Sequence, residues 1–329
     1  MNRKEKRIIY ADNAATTRLD QDAFEAMCPF LCENFGNASQ PYSFSRVPKN
    51  ALKIARETIA SCINASPEEI FFTSGGTESD NWALKGILKT NESQTVITSQ
   101  IEHHAILHTC ASIEQVGNKV IYLPVDRNGI VDTNTLQEAL VNKVALVSVM
   151  YANNEIGSLE PIHELCNIAH RNGAKFHTDA VQAVGHVKID VKEIGVDMMS
   201  ASAHKFNGPK GIGFLYVKTG TALKPFADGG AQEYGMRAGT ENVAGIVAMS
   251  VALKKACSHI DDRRKHLLKL EDVLLQGLKK YNTDFIRNGS SNRVPGNISL
   301  SFKNANGEML LHRLDLMGIM VSTGSACDS

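Results

Sequence analysis

The chain has 329 residues, enough for a large hydrophobic core and a second, smaller lobe, because single cores stop growing at about 250–300 residues. Its 35 basic and 35 acidic side chains balance, which leaves no electrostatic footprint for nucleic acid, and the apolar stretch Ile8-Ile9-Tyr10-Ala11 meets Asp12 before it could form a signal peptide or membrane span. Seven cysteines (Cys28, Cys32, Cys62, Cys110, Cys166, Cys257 and Cys327) are odd in number and lack zinc-type spacing, so neither a disulfide framework nor a metal centre is expected and the protein reads as cytoplasmic.

From Glu69 onward, short apolar runs alternate with amphipathic stretches. Strands are expected at Ile70 to Thr73, Thr95 to Thr98, Val120 to Leu123, Val144 to Met150, Lys175 to Thr178, Asp197 to Met199 and Gly213 to Val217. Helices are expected between them at Asn81 to Leu88, Ala105 to Val116, Thr133 to Leu140 and Ile162 to Arg171. This βαβ rhythm predicts an α/β fold, a mostly parallel sheet with helices on both faces. Asn242 to about Tyr281 reads as one long helix, followed by strand, helix and strand at Asn297 to Phe302, Gly307 to Leu316 and Ile319 to Ser322. A large domain over 15–255 and a smaller α+β domain made of 1–14 with 256–329 are the expected division.

In such sheets ligands bind beyond the carboxyl ends of the strands, and the notable motifs fall there. Thr73-Ser74-Gly75-Gly76-Thr77-Glu78 follows the first strand and precedes a helix near Ser79, where Gly76 and Thr77 could cradle a phosphate; alone it is also an ordinary strand-to-helix turn. His103 in Glu102-His103-His104 could lie flat on a ring and exchange protons. Asn154 in Asn153-Asn154-Glu155-Ile156-Gly157 could reach a ring hydroxyl, or the segment is an Asn-rich turn. Asp179 ends the strand Lys175 to Thr178, where a carboxylate could pair with a ring nitrogen or cap a helix. Lys205, within Ser200-Ala201-Ser202-Ala203-His204-Lys205-Phe206-Asn207-Gly208, is placed like an amine that condenses with a carbonyl cofactor, for which pyridoxal 5'-phosphate is the candidate.

The ordered set Asp12-Asn13-Ala14-Ala15-Thr16-Thr17, Thr73 to Asn81, Glu102-His103, Asn153 to Gly157, Asp179-Ala180-Val181-Gln182, Ser202 to Lys205 and Arg237-Ala238-Gly239-Thr240-Glu241-Asn242 closely resembles the cysteine desulfurases, class V members of the fold type I pyridoxal phosphate enzymes. The resemblance implies that Lys205 bonds the cofactor, His103 stacks on its ring, Asp179 pairs with the ring nitrogen, and Asn154 and Gln182 reach the ring hydroxyl. Gly76, Thr77, Ser202 and His204 would hold the phosphate, and Thr240 would reach the phosphate of the other subunit in a homodimer. Cys327, in the small-residue stretch Ser322 to Ser329, resembles the nucleophile that takes sulfur from L-cysteine as a persulfide, with His103 as proton acceptor.

The implied activity is conversion of L-cysteine to L-alanine, with sulfur passed to an acceptor protein such as an iron-sulfur scaffold or a tRNA-thiolation enzyme, and with no membrane or direct nucleic-acid partner. Another class V transaminase, a selenocysteine lyase or a non-catalytic scaffold would share the cofactor motifs or the fold. Family members continue for several dozen residues beyond the position of Ser329, and the arginine that grips the substrate carboxylate has no counterpart in these residues. The small domain is therefore expected to be truncated at its C-terminus.

Overall fold

The computed structural model describes residues 8–140 and 142–324. In chain order the elements begin with strand β1 (Ile9–Tyr10) and helices α1 (Gln21–Met27), α2 (Pro29–Cys32) and α3 (Arg46–Cys62). The repeating section follows as β2 (Ile70–Thr73), α4 (Gly76–Gly86), β3 (Thr95–Ser99), α5 (His104–Gln115), β4 (Lys119–Leu123), α6 (Thr133–Ala139), β5 (Val144–Ser148), α7 (Ile162–Arg171), β6 (Lys175–Asp179), α8 (Val191–Ile194), β7 (Met198–Ser202) and β8 (Gly213–Val217). The chain then runs through α9 (Val243–Ser258), α10 (Ile260–Lys280), β9 (Phe285–Arg287), β10 (Leu300–Phe302), α11 (Gly307–Leu316) and β11 (Ile319–Met320).

Strands β2 to β8 form one sheet in the order β2-β8-β7-β6-β5-β3-β4, parallel from β7 to β4, with β8 antiparallel to both of its neighbours. The expected mostly parallel architecture is present. Side chains on β8 alternate cleanly between the two faces. Phe214 and Tyr216 join a core with Ile59, Leu165, Phe176 and Met249, under α3, α7 and α9, while Leu215 and Val217 join Trp82, Ile106, Leu146 and Met198 under α4 and α5. Burying each large apolar side chain contributes about 1.5–3 kcal/mol.

The same period of two places the polar residues. His177 and Asp179 on β6, and Ser200 and Ser202 on β7, alternate with core residues Phe176, Met199 and Ala201, so they share the face covered by α4 and α5. Near the carboxyl ends of the strands this face changes from oily to polar, and the site forms there.

Two expectations need correction, and one stretch carried no expectation. The predicted single helix from Asn242 to Tyr281 is two helices bent by 69° around His259. The Ser258 hydroxyl donates to the carbonyl of Lys255 at 3.0 Å and His259 Nδ1 lies 2.9 Å from the same oxygen, so local side chains compete for a helical acceptor. Second, α4 begins at Gly76 rather than near Ser79, because Gly75 takes a φ of 150° and turns the chain straight from strand into helix. In that stretch, helices α1 to α3 precede the repeating section, and α3 packs Leu52, Ala55 and Ile59 into the core at helical spacing. Strand β1 pairs in parallel with β11, and β9 is antiparallel to β10.

Candidate active site

A cavity of about 550 Å³ opens at the carboxyl ends of β2, β5, β6 and β7. Gly76, Thr77, His103, Asn154, Asp179, Gln182, Ser202, His204 and Lys205 all line it. Thr240 does not; it is exposed in the loop between Arg237 and Asn242. Cys327 lies outside the described residues.

The phosphate-cradle candidate is built by a close approach of backbones. Strands β2 and β7 both end opposite Gly213 of β8, and a Cβ at Gly213 would lie 2.7 Å from Gly75 Cα. At Gly76 a Cβ would lie 2.6 Å from Val181 Cγ2, so glycine here keeps the first helical turn open towards the turn after β6. The first N–H groups of α4 have no carbonyl partner within their own helix and carry the positive end of its dipole, which suits an anion. Glu78, in the same turn, would repel that anion, but Arg237 grips its carboxylate through Nε at 2.8 Å and Nη2 at 3.1 Å. Burial opposes ionisation of Glu78, yet the bonds from Arg237 and Ser74 hold its carboxyl below the usual range.

Lys205 sits in a 3-10 turn directly after β7, and its Nζ donates to the carbonyls of Ala14 at 2.6 Å and Ala15 at 2.9 Å. Gln182 Nε2 donates to the same Ala14 oxygen at 2.9 Å. The segment 12–17 thus closes one wall through backbone oxygens. Thr17 ties it down by donating from its hydroxyl, 2.8 Å, and its N–H, 2.9 Å, to the His204 carbonyl. His204 Nδ1 lies 3.1 Å from Thr16 Oγ1, and burial together with the charges of Lys205 and Lys210 pushes this imidazole down to about 4, leaving it neutral.

Asp179 does not cap a helix. Its Oδ1 accepts the Val181 N–H at 2.9 Å in a turn closed by bonds from Ala183 and Val184 to the Ala180 carbonyl. Burial raises its carboxyl above the ordinary range, opposed by that N–H and by His103 and Lys205. His103 is the N-cap of α5, its Nδ1 accepting the Ala105 N–H at 3.1 Å. Burial lowers its basicity. With Nδ1 engaged by that N–H, Nε2 is the nitrogen suited to exchange a proton. In the Asn153-Asn154 pair the roles divide: Asn153 Oδ1 accepts the N–H groups of Glu155 and Ile156 and shapes the turn, and Asn154 lines the cavity.

Glu102, given no role from sequence, is a buried cross-link. Its Oε1 accepts from Ser99 Oγ at 2.6 Å and from the Met150 N–H at 3.0 Å, joining the ends of β3 and β5 beside His103. Burial pushes its carboxyl up to about 8, against an ordinary 4.5. Between these values the folded protein binds more protons than the unfolded chain, so stability falls as pH rises through that window. Glu102→Gln is expected to remove up to about 1.4 kcal/mol per pH unit from that slope. Denaturant unfolding at pH 5 and pH 8 checks it, and an unchanged slope contradicts it.

These residues fit pyridoxal phosphate: an anion cradle, a buried carboxylate, an amine, and a cavity lined by His103 and the apolar Ala152 and Val181. The comparisons agree. Residues 9–329 match the family described as aminotransferase class-V. The chain is 50% identical over 327 residues to "Cysteine desulfurase IscS" of Dictyoglomus turgidum, covering 98% of this chain and 83% of the relative. Among solved structures, a NifS-like protein superposes with a TM-score of 0.93 at 38% identity, covering 96% of this chain and 88% of that one. A structure titled "SspA in complex with cysteine" superposes with a TM-score of 0.86 at 33% identity, covering 97% and 90%.

Proposed function

We propose that this chain, which belongs to the cysteine desulfurases within the aminotransferase class-V family, converts L-cysteine to L-alanine and carries the released sulfur as a persulfide on Cys327. The observation that carries this proposal is the convergence on one cavity of Lys205, Asp179 and His103, each supplied by the end of a different strand or the turn after it. Bound there, pyridoxal phosphate would supply an aldehyde for an amine and an electron-withdrawing ring.

Lys205 would release the Ala14 and Ala15 carbonyls to hold that aldehyde and later to move protons. Asp179 would keep the ring nitrogen protonated, His103 would lie against the ring, and Asn154 and Gln182 would meet its hydroxyl. Gly76, Thr77, Ser202 and His204 would hold the phosphate. The Cys327 thiolate bonds to the sulfur of bound cysteine as the carbon–sulfur bond breaks, and the bonding pair stays with the carbon skeleton. That skeleton takes up a proton and leaves as alanine. One cysteine and one thiol become one alanine and one persulfide.

A homodimer acting in the cytoplasm is part of the proposal. Thr240, outside its own chain's cavity, is suited to complete the partner's. Ser39 Oγ contacts Glu241 Oε1 at 3.3 Å, so the segment carrying exposed Leu31, Phe35 and Phe44 adjoins the Thr240 loop. The sulfur acceptor would be an iron-sulfur scaffold or a tRNA-thiolation protein. No single helix among the described residues is long and apolar enough to cross a membrane.

Cys327→Ala tests the activity. Alanine release from cysteine by the cofactor-loaded protein is expected to fall at least about a hundredfold, as for loss of a chemical group. Full activity in the variant would point to a transaminase or another lyase that does not use this thiol.

A further inference from the structure

Beneath the cavity lies a carboxyl group that the chemistry above leaves unused. Asp80 sits on α4, one turn beyond the Gly76–Thr77 cradle, is 1% exposed and reaches the cavity wall. Its Oδ1 has no hydrogen-bond partner among the described residues and lies 3.7 Å from His177 Nε2. His177 cannot balance a charge there. Its ring is fully buried between Ser148 Oγ and Ser200 Oγ, each at 2.9 Å, and burial pushes it down to about 3, so it is neutral.

Among the described residues, the groups that bear on Asp80 contain no available cation. On its own helix Glu78 is committed to Arg237; from β6 come neutral His177 and the carboxyl of Asp179, from β7 the hydroxyl of Ser200, and from the turn before α5 the carboxyl of Glu102. Lys205, the nearby positive charge, acts on Asp179 and His103. Two desolvated carboxyls that line one cavity and repel each other resist ionising together. Asp179 has the better support for a negative charge, with the Val181 N–H and the Lys205 ammonium, whereas Asp80 has one hydroxyl.

We propose that Asp80 is a positioning residue of the site, a neutral carboxylic acid that keeps its own proton and so leaves Asp179 as the single anion presented to the ring nitrogen. This rests on the assignment of Asp179 to that nitrogen. Were Asp80 the charged member, Asp179 would carry the proton and lose its grip on a protonated ring.

Infrared spectra of the cofactor-loaded protein, with and without carboxyl-labelled aspartate, test the proposal at neutral pH. A protonated-carboxyl band that shifts with the aspartate label, and so cannot belong to Glu102, is expected in the wild type. It should persist in Asp179→Asn and vanish in Asp80→Asn. A wild-type spectrum without such a band, or a band that follows Asp179 instead, overturns the proposal. Cofactor titration gives a second readout: Asp80→Leu is expected to weaken pyridoxal phosphate binding by about tenfold, as for a buried group left without its partner. Asp80→Asn should recover most of that loss, and an asparagine variant as weak as the leucine one overturns it. If Asp179→Asn leaves the cofactor's visible band unmoved while the Asp80 band behaves as expected, the ring assignment alone has failed.

Discussion

Lys205→Ala is expected to abolish the visible absorption band of the cofactor-loaded protein and to lower alanine formation by at least about a thousandfold. The amine sits directly after β7, held by the carbonyls of Ala14 and Ala15, and among the cavity-lining residues only Lys210 offers another. Folding should be little affected, because those two contacts are made to a wall that Thr17 and Gln182 also secure. Borohydride reduction followed by peptide mapping is expected to place the cofactor's mass on the peptide containing Lys205. A label on the peptide containing Lys210 would move the assignment there.

Asp179→Asn should produce the second large loss. Removing one member of a buried charge pair costs about 3–5 kcal/mol, roughly two to four powers of ten in rate. Asparagine keeps an acceptor for the Val181 N–H, so the turn after β6 is preserved and the loss falls on the ring nitrogen. Cofactor binding should weaken and the visible band should shift. An unchanged band and rate would show that this carboxylate serves the turn alone.

Much of this site was legible before the fold, for identifiable reasons. The strands announced themselves as short apolar runs, and β2, β8 and α7 occupy the residues expected of them. Parallel topology then requires residues just past strand ends to converge, which gathered Gly76, His103, Asn154, Asp179 and Lys205 from distant parts of the chain. What escaped has no side-chain signature. Ala14 and Ala15 act through backbone oxygens, and Glu102 looks like one more loop acid until β3 and β5 are adjacent. Asp80 was visible only as part of a motif, because its character comes from Asp179 and His177 on a strand that α4 covers. The break at His259 depends on side chains competing for one carbonyl, which leaves apolar periodicity almost unchanged. His103 was expected to accept a proton, but nothing in the sequence signals that its Nδ1 is engaged by the Ala105 N–H.

One measurement bears most directly on the proposed desulfurase. Cofactor-loaded protein is mixed with a single equivalent of sulfur-labelled L-cysteine, quenched without reductant, and analysed for free amino acids and for peptide mass. The expected result is L-alanine in equal amount to labelled sulfur found on the peptide containing Cys327. Alanine formed with no sulfur on that peptide, or a keto acid formed in place of alanine, would contradict it.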